Sequence, residues 1–224
     1  MNSFTRDGVT LIDVSHKVTD GMMTYKGLPT PIICDYLTRE AAEQTFQKGV
    51  TFQIGVITMC SNTGTYIDVP FHRFAAGKDL AQFPLDSLAN LDAIKVVIPT
   101  HTRKIDAQSF AQLDVRGKAV LIQTGWSQHW GSDTYFEKHP HLTSEAALAL
   151  RDGGALLVGI DSYNIDDTND PARPVHTTLL GSDIAICEHM TNLESLPSNA
   201  FRFFAVPVKV EGMGTFPVRA FGLT

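Results

Sequence analysis

Two short runs constrain the fold of this chain more than any other feature. Residues 119–124 (AVLIQT) and 155–160 (ALLVGI) are apolar without alternation, as a strand reads when it is buried on both faces. Four further runs, 10–14, 51–59, 93–98 and 203–208, are short, rich in Val, Ile or Phe, and bounded by turn-forming residues, so they also read as strands. Helical signals are fewer. Residues 143–152 open with Thr143, Ser144 and Glu145 and stop at Gly153 and Gly154, the capping chemistry of a helix start and end. Residues 106–113 and 38–48 are weaker helical candidates, and 179–185 has no period that types it. Strands outnumber helices and interleave with them, which predicts an α/β fold on a central sheet or barrel. The Asp- and Pro-rich stretch 166–174 (DDTNDPARP) reads as a loop, and no repeat or Ser/Gly linker divides the chain. One domain over residues 1–224 is expected.

Charge and cysteine usage exclude several classes. The net charge is −6 and the densest basic stretch is Arg103 with Lys104, poor material for gripping a phosphate backbone. Three cysteines with no CxxC pair do not make a disulfide framework or a thiolate zinc site. They read as small apolar side chains in a reducing compartment. The N-terminus lacks the layout of a secretory signal, and no apolar run approaches the roughly 18 to 20 residues of a membrane span. A cytoplasmic chain is therefore expected, with no nucleic acid and no membrane as partner. Ser127 has no G-x-S-x-G elbow, and no GxGxxG or P-loop is present. At 224 residues with 43% apolar content, the chain can bury a core without a metal or disulfide to hold it.

Two segments carry chemistry. In residues 61–73 (SNTGTYIDVPFHR), Gly64 permits a tight bend and Pro70 pushes Val69 toward an extended conformation. If 66–69 is extended, Tyr66 and Asp68 point to one side together, and His72 lies four residues beyond Asp68. A phenol, a carboxylate and an imidazole can serve acid–base chemistry or bind a cation; a turn in which the Asp caps backbone amides fits the spacing equally. In residues 173–193 (RPVHTTLLGSDIAICEHMTNL), His176 and Glu188 are acceptable ligands for zinc or manganese. His189 is a second, less favoured donor. The aromatic stretch with Trp126, Trp130, Tyr135 and Phe136 could line a pocket for a planar substrate or pack in the core. Tyr25, Met22 and Met23, near residues 27–29, are candidates for a substrate opening or a subunit contact.

The run N-T-G-T-Y-I-D-V-P-F-H (62–72) resembles the signature H-x-G-T-H-x-D-x-P-x-H of the cyclase-like metal-dependent hydrolases, the family of bacterial kynurenine formamidase and isatin hydrolase. The resemblance runs nearly end to end. Residues 11–16 (LIDVSH), 27–29 (GLP), 120–126 (VLIQTGW), 159–161 (GID) with Asp166, 175–193 and 208–219 (VKVEGMGTFPVR) follow the family's blocks in order. It implies a swivelling β/β/α domain with a barrel-like central sheet, and a homo-oligomer. It implies that Asp68, His176 and Glu188 are metal ligands and that His72 works in acid–base catalysis. Asn62 and Tyr66 stand where the family places two ligand histidines.

An Asn carbonyl is a weak ligand, and a phenol must ionise before it binds well. Asp68, His176 and Glu188 still suffice for one divalent ion, zinc or manganese, with an open position. The expected function is a hydrolase cleaving a C–N or C–O bond of a small amide, lactam or lactone. Asn62 and Trp126 are expected to touch the substrate. Two alternatives stay open: a metal-free enzyme using Tyr66 and His72 for dehydration, isomerisation or cyclisation, and a non-catalytic binding relative.

Overall fold

The computed structural model describes residues 3–224, and both uniformly apolar runs are interior strands of one ten-stranded sheet. Lys118–Gln123 and Leu157–Ile160 pair in parallel at its centre, and Leu91–Val97 and Ala185–Glu188 flank them in parallel. Beyond Leu91–Val97 the sheet continues through Phe201–Phe204, Phe221–Leu223, Val9–Asp13 and Ser3–Arg6, all antiparallel. Beyond Ala185–Glu188 it continues antiparallel through Tyr66–Asp68 and Thr215–Pro217.

Burial on both faces explains the missing alternation. Ala119, Leu121, Leu157 and Cys187 join one apolar cluster, while Val120, Ile122, Val158, Ile160 and Ile186 join another. Each face therefore selects an apolar side chain. The second cluster is closed by two helices, α2 (Ser144–Gly153) and α3 (Pro174–Leu180), through Leu150, Val175 and Leu179. Helix α2 is the helix read from residues 143–152: the Thr143 hydroxyl accepts from the Ala146 amide, and Gly154 ends it at φ 82°. Residues 38–48 contain α1 (Arg39–Thr45), capped by Thr38. Residues 106–113 form only a 3-10 turn at Ala107–Phe110, capped by Asp106.

One expectation needs correction, and barrel closure is not confirmed. Ser3–Arg6 and Thr215–Pro217 end the strand order with no ladder between them among the described residues, while a single bridge, Ser15 with Met190, links the chain just past Val9–Asp13 to the chain just past Ala185–Glu188. Closure needs a continuous staggered ladder, and end strands of four and three residues offer little to pair. The correction concerns the run 51–59, which is not a strand of this sheet. Only Ile54–Thr58 is extended, and it pairs with Ile32–Leu37 in a separate two-stranded ribbon. The segment 61–73 thus enters the sheet anew at Tyr66. Among the described residues, no helix is long and apolar enough to cross a membrane.

Candidate active site

The site forms where the parallel strands end at their carboxyl side, the usual place for a ligand in an open α/β sheet. Strand alternation sends Tyr66 and Asp68 to one side and Ile67 into the apolar core. Register then supplies neighbours: Glu188 pairs across from Tyr66, and Thr215 across from Asp68. The Tyr66 hydroxyl donates to Glu188 Oε2 at 2.6 Å, and the Ile165 amide donates to Glu188 Oε1 at 2.6 Å. His176 comes from the first turn of α3. Asp166 fixes that turn by accepting from the Val175 and His176 amides at 2.7 and 3.0 Å, and it also holds His176 Nδ1 at 2.6 Å.

That bond sets the chemistry of His176. With Nδ1–H given to Asp166, Nε2 faces the site, 3.7 Å from Asp68 Oδ2 and 3.9 Å from Glu188 Oε1. A histidine whose second nitrogen is held by a carboxylate is the usual support of a metal ligand. Asp68 Oδ2 is buried and has no hydrogen-bond partner; leaving such a group unpaired is costly, so a cation is the fitting occupant. Burial opposes charge on His176, yet Asp166, Asp68 and Glu188 push its pKa up to about 10. The surroundings demand positive charge at this point. The donor atoms of Asp68, His72 and His176 all lie within 4.8 Å of one another, so the residues present fit a metal ion.

His72 follows Asp68 by one 3-10 turn, Pro70–His72. The Thr215 hydroxyl contacts both Asp68 Oδ1 and His72 Nδ1, the latter at 2.7 Å. Burial alone would raise the Asp68 pKa, but His72, His176 and Thr215 together hold it below the ordinary carboxylate range. An ionised Asp68 must receive the hydroxyl hydrogen, so His72 donates Nδ1–H to Thr215 and keeps Nε2 free for the cavity. Gly214 lies so close to His72 that an added Cβ would collide with the His72 backbone nitrogen. Gly214→Ala is expected to cost about 1–3 kcal/mol and to pull His72 off Thr215. The observable is a lower melting temperature together with a lower kcat; a variant unchanged in both contradicts the arrangement.

The cavity above these groups has a volume of about 430 Å³ and is lined by Asn62, Tyr66, His72, His176 and Glu188, with Tyr25 and Leu28 on an outer wall. Asn62, Tyr66, Asp68, His72, His176 and Glu188, all expected at the site, therefore meet here. Trp126 does not. Its indole nitrogen donates to the Tyr135 carbonyl at 2.9 Å, and its ring lines a different depression with Thr100 and Gln128. Met22 and Met23 line another depression, beside Trp130. His189 does not line the cavity: its backbone is left-handed at φ 54°, and its ring is buried behind the site among Tyr66, Trp130, Tyr135 and Tyr163, with Nε2 3.4 Å from the Tyr66 hydroxyl.

A family model described as "Putative cyclase" matches residues 12–167. The chain belongs to the cyclase family. Kynurenine formamidase from Bacillus cereus strain ATCC 14579 is 26% identical over 210 residues, covering 93% of this chain and 95% of that protein. The structure of a predicted metal-dependent hydrolase from Bacillus stearothermophilus superposes with TM-score 0.74 at 25% identity, covering 96% of this chain and 98% of that one. Isatin hydrolase A from Labrenzia aggregata, bound to benzyl benzoate, superposes with TM-score 0.81 at 17% identity, covering 96% and 94%.

Within this cyclase-family chain, sequence reasoning assigned no role to four residues of the site: Asp166, Thr215, Arg73 and Arg173. Asp166 had no local signal, because it lies outside the N-cap position of the helix it holds, nine residues before Val175. Thr215 had none, because its partner Asp68 lies 147 residues away.

Buried imidazoles also give this fold an acid limit. Burial lowers His189 to about 3 and His16 and His139 to about 4. Each stays neutral in the fold and charges on unfolding below pH 6.5, so its stabilisation is present above 6.5 and lost as pH falls. Two carboxylates act oppositely: burial raises Asp161 to about 6, and burial with the Asp68 charge raises Glu188. Between pH 6 and 4.5 these five groups hold about three protons in the unfolded chain, on the imidazoles, and about two in the native chain, on the carboxyls. The net of one proton predicts a metal-free stability falling by about 1.4 kcal/mol per pH unit. Denaturation midpoints at pH 6.0 and 5.0 check it, and a flat or rising stability contradicts it.

Proposed function

We propose that this chain is an amidase-type hydrolase of small molecules that works with one divalent ion, zinc or manganese, held by Asp68, His176 and Glu188. The observation that carries the proposal is the buried, unpartnered Asp68 Oδ2 facing His176 Nε2, with His72 aimed at the same cavity. When bound, the ion polarises a carbonyl oxygen and acidifies water. The residues of the chain supply the rest. His72 Nε2 takes a proton from the attacking water as the new C–O bond forms. The same imidazole returns that proton to the departing nitrogen as the C–N bond breaks, leaving an amine and a carboxylic acid that gives its remaining proton to solvent. Thr215 relays the orientation of Asp68 to His72 and keeps the needed tautomer.

Tyr66 enters this reading as a positioning residue. Burial, then the charges of Glu188 and Asp68, push its pKa well above 10, so it is a neutral phenol whose hydrogen belongs to Glu188. It is neither a metal ligand nor a free oxyanion donor. Asn62 is the better partner for a substrate carbonyl or amide, since its side chain is only half-buried and lines the cavity. The atypical metal site follows: neutral hydrogen-bonding groups stand at Asn62 and Tyr66, and a single ion remains. The relationship to kynurenine formamidase supports an aryl formamide or a similar small amide as the first substrate to try. Hydrolysis that is lost on chelation and restored by zinc or manganese supports the proposal. Hydrolysis that survives complete metal removal overturns it.

We also place a contact between two copies of the chain on the ribbon Ile32–Leu37 with Ile54–Thr58. An isolated two-stranded ribbon is marginal in water, and this one exposes Ile32, Ile33, Tyr36, Val56 and Ile57. Apolar surface on that scale marks an interaction site. Light scattering is expected to give twice the 24.5 kDa chain mass, and Ile57→Asp with Tyr36→Asp to give the monomer. A monomeric parent protein contradicts this.

A further inference from the structure

We propose that the substrate carries a carboxylate, gripped at the cavity mouth by Arg73 and Arg173, in addition to the bond that is cleaved. This rests on the hydrolase reading and adds the substrate class. The floor of the cavity is acidic, but its rim carries three cations: Lys26, Arg73 and Arg173. Among the described residues, none of the three has a carboxylate within 4.0 Å, whereas Lys78, Lys118, Arg151, Arg202 and Arg219 do. Lys26 rests instead over the Phe136 ring, at 5.3 Å.

Both arginines are tethered by neutral acceptors, which orient them without cancelling their charge. Arg173 Nη1 donates to Asn164 Oδ1 at 3.1 Å, and Asn164 is itself buried and held by the Asp166 amide. Arg73 donates through Nε to the Thr177 hydroxyl at 3.1 Å and through Nη2 to the Ala172 carbonyl at 3.3 Å. Each fork keeps further N–H groups for a ligand, and a guanidinium fork matches a carboxylate in geometry and charge.

The backbone adds a separate observation. Arg173 sits in the left-handed region at φ 48° and ψ 58°, directly before Pro174. A non-glycine residue there is strained by about 1–3 kcal/mol, and such strain concentrates where a side chain has a task. Glycine would relieve it but could not bind an anion. The cavity is sized for a one-ring compound, so the ligand is an aromatic or similarly compact amide with an acid group facing the rim.

The test uses the metal-loaded protein and two probe pairs. Calorimetry compares 2-aminobenzoate with 2-aminobenzamide, and kinetics compares 2-formamidobenzoate with its methyl ester. The parent protein is expected to prefer the acid at least about tenfold in Kd and in KM. Arg73→Met with Arg173→Met is expected to reduce the preference to about one while still carrying one ion per chain, which separates anion binding at the rim from anion binding to the metal. Arg173→Lys, a gentler change, is expected to retain part of it. Equal binding of both probes by the parent, or a preference that survives in the double variant, overturns the proposal. If the acid is preferred and the arginines account for it, yet neither formamide is hydrolysed, the anion site stands and the hydrolase reading falls. If both formamides are hydrolysed with equal kcat/KM, the reverse holds.

Discussion

His72→Gln is expected to lower kcat by about 10²- to 10⁴-fold, the range for losing a positioned acid–base group, while metal content stays at one ion per chain. The separation follows from geometry. His72 is tied to Asp68 through Thr215, and its Nε2 is left for the cavity. Removing the imidazole takes away the proton carrier but leaves Asp68, His176 and Glu188 in place. The tight grouping of His72 with Asp68 and His176 makes the opposite outcome concrete. If His72→Gln loses the ion, His72 is a ligand and another group carries the proton. Metal analysis and steady-state kinetics on the same sample decide between the two.

Asp68→Asn is expected to have the largest effect of any single change. Its carboxylate is fully buried, accepts from Thr215 through one oxygen, and presents the other with no partner. The amide is nearly the same size, so packing is preserved and the change is electrostatic. Groups that only support a metal ligand cost 10–100-fold in affinity when altered; removal of a ligand charge should exceed that, with a loss above about 100-fold. Activity should fall with occupancy and partly recover at high manganese. Metal-free Asp68→Asn should melt lower than the metal-free parent, because His72, His176 and Thr215 favour the Asp68 charge and removing one partner from a buried charged group is destabilising. Unchanged metal affinity in a folded variant would place the ion elsewhere.

The sequence carried the sheet and the floor of the site, but not the groups that orient it. Residues 119–124 and 155–160 were legible as doubly buried strands because each face meets its own apolar cluster. Helix α2 was legible because Thr143 and Gly154 write its ends locally. Helix α3 was not, since it has seven residues, begins after a strained arginine, and owes its first turn to Asp166 nine residues upstream of Val175. Tyr66, Asp68 and His72 were expected on one side of the chain, and the structure brings them together. Thr215 reaches Asp68 only through strand register, which no local pattern encodes. Trp126 was expected in the pocket for its aromatic character, but the bond from its indole to Tyr135 turns it to another surface.

The measurement that tests the central claim most directly is the metal stoichiometry of the purified protein by elemental mass spectrometry, run beside Asp68→Asn. The account predicts about one zinc or manganese per parent chain and almost none in the variant. No bound metal after incubation with excess ion, or equal metal in both proteins, would contradict it.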